Sequence, residues 1–215
     1  MQPRLNFYDI EQNTDTWLNM RAGLLTSSNM GKVMANYGKS FGDGAKKLAV
    51  EIALQQITGK PLESGFSNAH TERGHEQEPL ARMAYEEETF CVVENGGFFC
   101  DEFIGCSPDG LVLDCGLIEI KSVIAPVHYA NVTRQSIDPT YKWQCYANLK
   151  YTGREWLDFI SFCPSYPQDK QIYVCRIYAE KLSDEFQMID ERVPKFLDFV
   201  SETRRNIEQL NYTVH

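Results

Sequence analysis

The sequence predicts an α/β protein, a central mixed β-sheet flanked by helices, and three observations predict it. Apolar runs with strand character recur at 90–94, 98–102, 117–121, 155–163 and 171–178. Segments with helical spacing and helix punctuation surround them, notably 45–57, 68–88 and 182–210. The chain has 215 residues, 43% apolar and 24% charged, enough for one sizeable domain with a buried core and too few for two comfortable ones.

Taken in order, Asn13 or Asp15 is a fitting cap for a first helix carrying Trp17, Leu18 and Met20, which stops at Gly23 and has Arg21 on its last turn. Thr26-Ser27-Ser28 then caps a helix over 29–35. Backbone N–H groups and hydroxyls would meet Arg21 near one point, the makings of an anion site. Plain capping beside a surface arginine is the alternative. Residues 37–44 read as a mobile Gly-rich loop, followed by a helix whose Leu48, Ile52 and Ile57 have core spacing and which Gly59 and Pro61 close. Lys39, Lys46 and Lys47 form the densest basic cluster, either a solvated face or a contact for a nucleic-acid backbone.

The long helix over 68–88 is expected to bury Leu80, Met83 and Ala84 and to kink, or to begin, near Glu78 because of Pro79. Its acids, Glu72, Glu76, Glu78, Glu86, Glu87 and Glu88, are solvated by default, with one able to reach a metal. Asn95-Gly96-Gly97 between two apolar runs signals a hairpin. Residues 122–137 have helical spacing in part, with His128, Arg134 and Gln135 polar. Pro139 opens a helix through Tyr141, Trp143, Gln144 and Tyr146 to about Leu149, with Trp143 and Tyr146 in the core. The last helix, whole or broken at Pro194, points Phe186, Ile189, Phe196 and Phe199 inward.

The most informative stretch runs from Cys106 to Lys121. Ser107-Pro108-Asp109-Gly110 has turn chemistry, and a second turn at 114–116 joins two short strands as a hairpin. Glu119 and Lys121, two apart on the second strand, point to the same face. A carboxylate and an ammonium there, with Asp109 at the mouth of the preceding strand, are costly to bury unless a cation binds. Asp109 and Glu119 offer the hard oxygens that Mg²⁺ accepts. An ordinary hairpin with a solvated Glu/Lys face is the plain alternative.

Composition bounds the rest. Seven scattered cysteines without a Cys-x-x-Cys pair read as reduced thiols, and His70, His75, His128 and His215 lack ligand spacing. No apolar run is long enough to span a membrane and Met1-Gln2-Pro3-Arg4 lacks a signal's apolar core, so a cytoplasmic protein is expected. A net charge of −9 opposes nucleic-acid binding unless basic groups are concentrated in one channel.

The Asp109, Glu119-Ile120-Lys121 pattern resembles the PD-(D/E)xK nuclease core, and its setting resembles the lambda exonuclease (YqaJ viral recombinase) family. The supporting residues are Trp17 to Arg21, Thr26-Ser27-Ser28, Gly74 to Glu78, Ser107-Pro108-Asp109-Gly110 and Tyr141 to Gln144, within about Thr16 to Pro164. The resemblance implies a restriction-endonuclease-like core over residues 1–215 and a 5′→3′ exonuclease acting on double-stranded DNA ends. It implies two Mg²⁺ ions, with Mn²⁺ the other candidate, held by Asp109, Glu119, the Ile120 carbonyl and Glu78, and a nucleophile oriented by Lys121. It assigns Arg21 and Ser28, with Ser107 beside them, to the terminal 5′-phosphate, and Gln144 to support. Tyr146 stands where the family carries a second glutamine. A homotrimeric ring and a single-strand annealing partner are implied as well. A restriction or repair endonuclease and a catalytically idle DNA-end-binding protein are the competing readings.

Overall fold

The computed structural model describes residues 5–62 and 69–210. Residues 1–4, Asn68, His215 and the side chains of His70, Glu72 and His75 lie outside the described residues. Along the first half run β1 (Asn6–Tyr8), α1 (Asp15–Arg21), β2 (Leu25–Thr26), α2 (Met30–Met34), α3 (Asp43–Thr58), α4 (Ala69–Thr89), β3 (Val93–Glu94), β4 (Phe98–Cys100) and β5 (Ile104–Cys106). The second half adds β6 (Gly110–Val112), β7 (Gly116–Ser122), α5 (Ala125–Arg134), α6 (Lys142–Thr152), β8 (Trp156–Phe162), β9 (Ile172–Tyr178) and α7 (Ser183–Glu208).

The strands form two mixed sheets. The larger, in the order β3-β6-β7-β8-β9, is the expected central sheet, antiparallel except for the β7–β8 pair. The smaller, β1-β4-β5-β2, is antiparallel except for β2 beside β5. Alternation along β7 sends Leu117, Glu119 and Lys121 to one face and Ile118 and Ile120 to the other. Leu117 joins a large core with Leu157, Phe159 and residues of α2, α3, α6 and α7, among them Met30, Ile52, Leu149 and Phe196. Ile118 and Ile120 join a smaller one with Ala81 and Tyr85 of α4. Among the described residues no helix is long and apolar enough to cross a membrane. All seven cysteines are free thiols, as their spacing implied.

Several local expectations are corrected. The cap of α1 is Thr14, whose Oγ1 accepts from the Trp17 N–H at 3.3 Å, while Asn13 occupies left-handed backbone at φ 63°. The core face of α4 is Ala81 and Tyr85, not Leu80 and Met83, which are 51% and 56% exposed. Tyr85 decides it: its hydroxyl donates to the buried Asp158 Oδ2 at 2.7 Å, a polar anchor that apolar periodicity overlooks. Both α4 and α7 continue through their prolines. Pro139 lies before α6 rather than opening it, in a turn where Asp138 Oδ1 accepts from the Thr140 N–H at 2.9 Å. Ile57, on the last turn of α3, is 38% exposed and leaves the core to Leu48 and Ile52.

The Asn95-Gly96-Gly97 segment does not close a hairpin. It carries the chain from β3, in the larger sheet, to β4, in the smaller. A Cβ on Gly96 would fall 1.8 Å from the Pro108 carbonyl oxygen, and Gly97 has φ +55°, so this crossing is what the glycines serve. The actual hairpin is β4–β5, closed by Asp101, whose Oδ1 accepts from the N–H groups of Phe103 and Ile104. The loop read as mobile is anchored. Buried Arg192 of α7 donates to the carbonyls of Val33, Lys39 and Ala35 and stacks 4.0 Å from the Phe41 ring, and Tyr37 donates to Glu191.

Arg176 on β9 grips Asp158 with two bonds of 2.7 Å and lies 3.7 Å over the Trp156 ring. Asp158 therefore ties α4, β8 and β9 together. Asp158→Ala leaves Arg176 and the Tyr85 hydroxyl without their acceptor, and chemical denaturation is expected to show a loss of about 3 kcal/mol.

Candidate active site

β6 begins at Gly110, opposite Ile118, and the chain before it turns away from the sheet. Asp109 extends the ladder by other means. Its N–H donates to the Ile118 carbonyl at 3.0 Å, and its Oδ2 accepts the Ile120 N–H at 2.6 Å. The β7 edge is thus capped by a carboxylate. A cleft of about 460 Å³ opens there, lined by Glu78 from α4, Asp109, Ile120 and Lys121, with Arg73 and Tyr141 on its walls. The Lys121 Nζ lies 5.0 Å from the centre of the Tyr141 ring.

Glu119 sits beneath this cleft, 0% exposed. Its Oε1 accepts from the Lys121 Nζ at 2.6 Å and from the Gln144 Nε2 at 2.5 Å, and its Oε2 accepts from the Asn148 Nδ2 at 2.9 Å. Burial, and then the neighbouring Asp109 carboxylate, push Glu119 up to about 8. Burial and Asp109 likewise push Glu78 up to about 7. Desolvation pulls the Lys121 ammonium down, but Glu119 and then Asp109 outweigh it and hold it above its ordinary value.

Three carboxylates close enough that Asp109 raises the proton affinity of both Glu78 and Glu119 are a donor set suited to a hard divalent cation. Among the described residues, however, no group of three His, Cys, Asp or Glu side chains is gathered closely enough to hold a metal ion. The reason is local: Glu119 and Glu78 approach from opposite faces of the sheet, and Lys121 takes one oxygen of Glu119. The donor chemistry fits the cation.

Arg21, Ser28 and Ser107 form a second group. The Arg21 Nη2 donates to the Ser28 Oγ at 3.5 Å, and the guanidinium stacks 3.9 Å over the Trp17 ring, whose Nε1–H donates to the Ser107 Oγ at 2.8 Å. Desolvation lowers the Arg21 guanidinium from its ordinary value. Lys39, Lys46 and Lys47 are exposed and line neither the cleft nor the Arg21 group.

Sequence reasoning passed over Asn148 and Arg82, and named Trp17 and Ser27 without the contacts they make here. Asn148 donates to Glu119 and accepts from Ser27; Trp17 joins Arg21 to Ser107; and the Arg82 Nη2 donates to the Asp109 carbonyl at 2.9 Å, linking α4 to the Asp109 turn. The available signals were spacings. Asn148 follows Gln144, and Arg82 follows Glu78, by one helical turn.

Mixed sheets flanked by helices, with this notch at a strand end, place the fold in the restriction-endonuclease-like class. The chain belongs to the YqaJ-like viral recombinase family, whose domain pattern matches residues 16–155. An alkaline exonuclease from Laribacter hongkongensis, LHK-Exo, is 30% identical, with a TM-score of 0.77 and a match over 92% of this chain and 100% of that one. Its crystal structure in complex with dAMP gives the same figures. A phage-related exonuclease from Haemophilus somnus 129PT, 14% identical over 87% of this chain and 96% of its own, shares the fold at a TM-score of 0.67. Comparison with curated protein sequences gave no match.

The raised carboxylates give a pH test. The folded-state value of Glu78, about 7, exceeds its ordinary 4.5, so the contribution of its protonated form is complete below 4.5 and is lost as pH rises through 7. In metal-free buffer, Glu78→Gln is expected to melt with wild type near pH 4.5 and above it, by about 2 °C or more, at pH 8, as followed by circular dichroism.

Proposed function

We propose that the protein is a Mg²⁺-dependent 5′→3′ exonuclease that degrades one strand of double-stranded DNA from its end and leaves a 3′ single-stranded tail. The observation that carries this is the placement of Glu78, Asp109 and Lys121 in one cleft over buried Glu119, in a chain of the viral recombinase family. A relative 30% identical that is named an alkaline exonuclease, and was crystallised with dAMP, supports a mononucleotide-sized product.

Asp109, Glu119 and the Ile120 carbonyl are the residues that would hold one ion, and Glu78 with Asp109 a second, Mg²⁺ or in its place Mn²⁺. Such ions supply charge neutralisation at the phosphorus and a more acidic bound water. Lys121 stays an ammonium, so it donates to the attacking water and orients it rather than removing its proton. Gln144 steadies Glu119. Arg21 and Ser28, with Ser107, grip the 5′-terminal phosphate: a half-buried guanidinium recovers from desolvation when an anion meets it. That grip sets the direction of digestion. Lys39, Lys46 and Lys47 contact the DNA backbone without reading sequence, on an anchored loop and the adjoining helix. The tail would be handed to a single-strand annealing protein in the cytoplasm of a bacterial host, and a homotrimeric ring around the duplex would make digestion processive.

The test uses end-labelled linear duplex bearing 5′-phosphate or 5′-hydroxyl, with closed circular DNA as the comparison. Mononucleotide release that needs Mg²⁺, favours the phosphorylated end and spares the circle is expected. Cutting of circles at a comparable rate overturns the exonuclease in favour of an endonuclease. Lys121→Ala and Asp109→Asn are each expected to lower kcat at least about 100-fold. DNA binding measured by fluorescence anisotropy persists in Lys121→Ala; retention of full turnover there removes Lys121 from the mechanism.

A further inference from the structure

The 3₁₀ turn Ser27–Asn29 presents two serines in opposite directions. Ser28 is exposed and meets Arg21, and the Thr26 and Ser28 hydroxyls lie 3.0 Å apart. Ser27, 2% exposed, turns inward, and its Oγ donates to the Asn148 Oδ1 at 2.6 Å. Asn148, 0% exposed, spends the other end of the same amide on Glu119, its Nδ2 donating to Oε2 at 2.9 Å. Residues 121 apart in sequence are thereby joined through one planar group. A carboxamide is the side chain that can accept from a hydroxyl at one end and donate to a carboxylate at the other.

We infer that Ser27 and Asn148 are positioning residues that hold the end-gripping turn in register with Glu119, fixing the spacing between the gripped 5′-phosphate and the phosphodiester to be cut. The inference rests on the proposed function, since it needs both the grip and the hydrolytic cleft. Two observations separate it from plain core packing. Both bonds are buried and share one planar amide, so the turn has little freedom to shift without straining them. And Asn148 is the donor found on Glu119 Oε2, whereas Oε1 has two, so that side of the carboxylate takes its position from the relay. Ser28 rides on the same turn, one residue from Ser27. A displacement of the turn therefore moves the grip relative to the cleft, and misplacement of about 1 Å is enough to cost about 100-fold in rate.

The experiment compares wild type, Ser27→Ala, Asn148→Ala and the double variant on linear duplex with 5′-phosphate or 5′-hydroxyl ends in Mg²⁺, with thermal melting of each. Ser27→Ala is expected to lose about tenfold or more of the preference for the phosphorylated end, through kcat rather than KM. The double variant is expected to be no worse than Asn148→Ala, because the two residues act as one unit. If Ser27→Ala does not fold, Asn148→Ser, whose hydroxyl is too short to bridge, carries the same readout. A lower melting temperature with the wild-type preference intact overturns the relay and leaves the proposed function standing. Equal digestion of both ends by wild type overturns the grip itself, and the relay with it.

Discussion

A carboxylate with no exposed surface governs this structure. An ionised Glu119 in the interior is tolerable only if donors surround it, because an unpaired buried charge costs several kcal/mol. The chain meets that demand from two elements: Lys121 on the same strand, and Gln144 and Asn148 one turn apart on α6. The requirement explains why α6, otherwise a core helix with Cys145, Ala147 and Leu149 buried, carries polar groups on the face toward β7. It also explains why Ser27 is buried, for the amide that serves Glu119 must itself be served.

The site owes its access to a strand that begins late. Because β6 does not pair with β7 beyond Ile118, the edge of a central strand is left to Asp109, and both faces of the sheet meet at that point. Glu78 arrives from the α4 side and Lys121 from the α6 side, which neither face could supply alone. Membership of the viral recombinase family agrees with this architecture, and the partners around Glu119 give it a physical basis.

What was legible in the sequence was local. The β6–β7 hairpin followed from turn residues and alternation, and the pairing of Glu119 with Lys121 from a period of two. The strands β8 and β9 and the inward side of α7 were equally plain, with Ile189 and Phe196 fully buried. What escaped depended on partners distant in the chain. Leu80 and Met83 look like a core stripe until Asp158, 73 residues from Tyr85, rotates α4 toward a different face. The glycines at 96 and 97 have hairpin chemistry, and only the nearness of Pro108 shows that they thread a crossing between sheets. Asn148, a polar residue in an apolar helix, carried no meaning before Ser27 and Glu119 stood on either side of it.

The contact between the Arg82 guanidinium and the Asp109 carbonyl makes a mechanical unit of two pieces of chain that no strand pairing joins. Asp109 is held to β7 by two hydrogen bonds and to α4 by one, so the acidic turn braces the helix against the edge of the central strand. Loss of that brace would free both acidic sides of the notch at once, whereas Lys121 is carried by the strand itself.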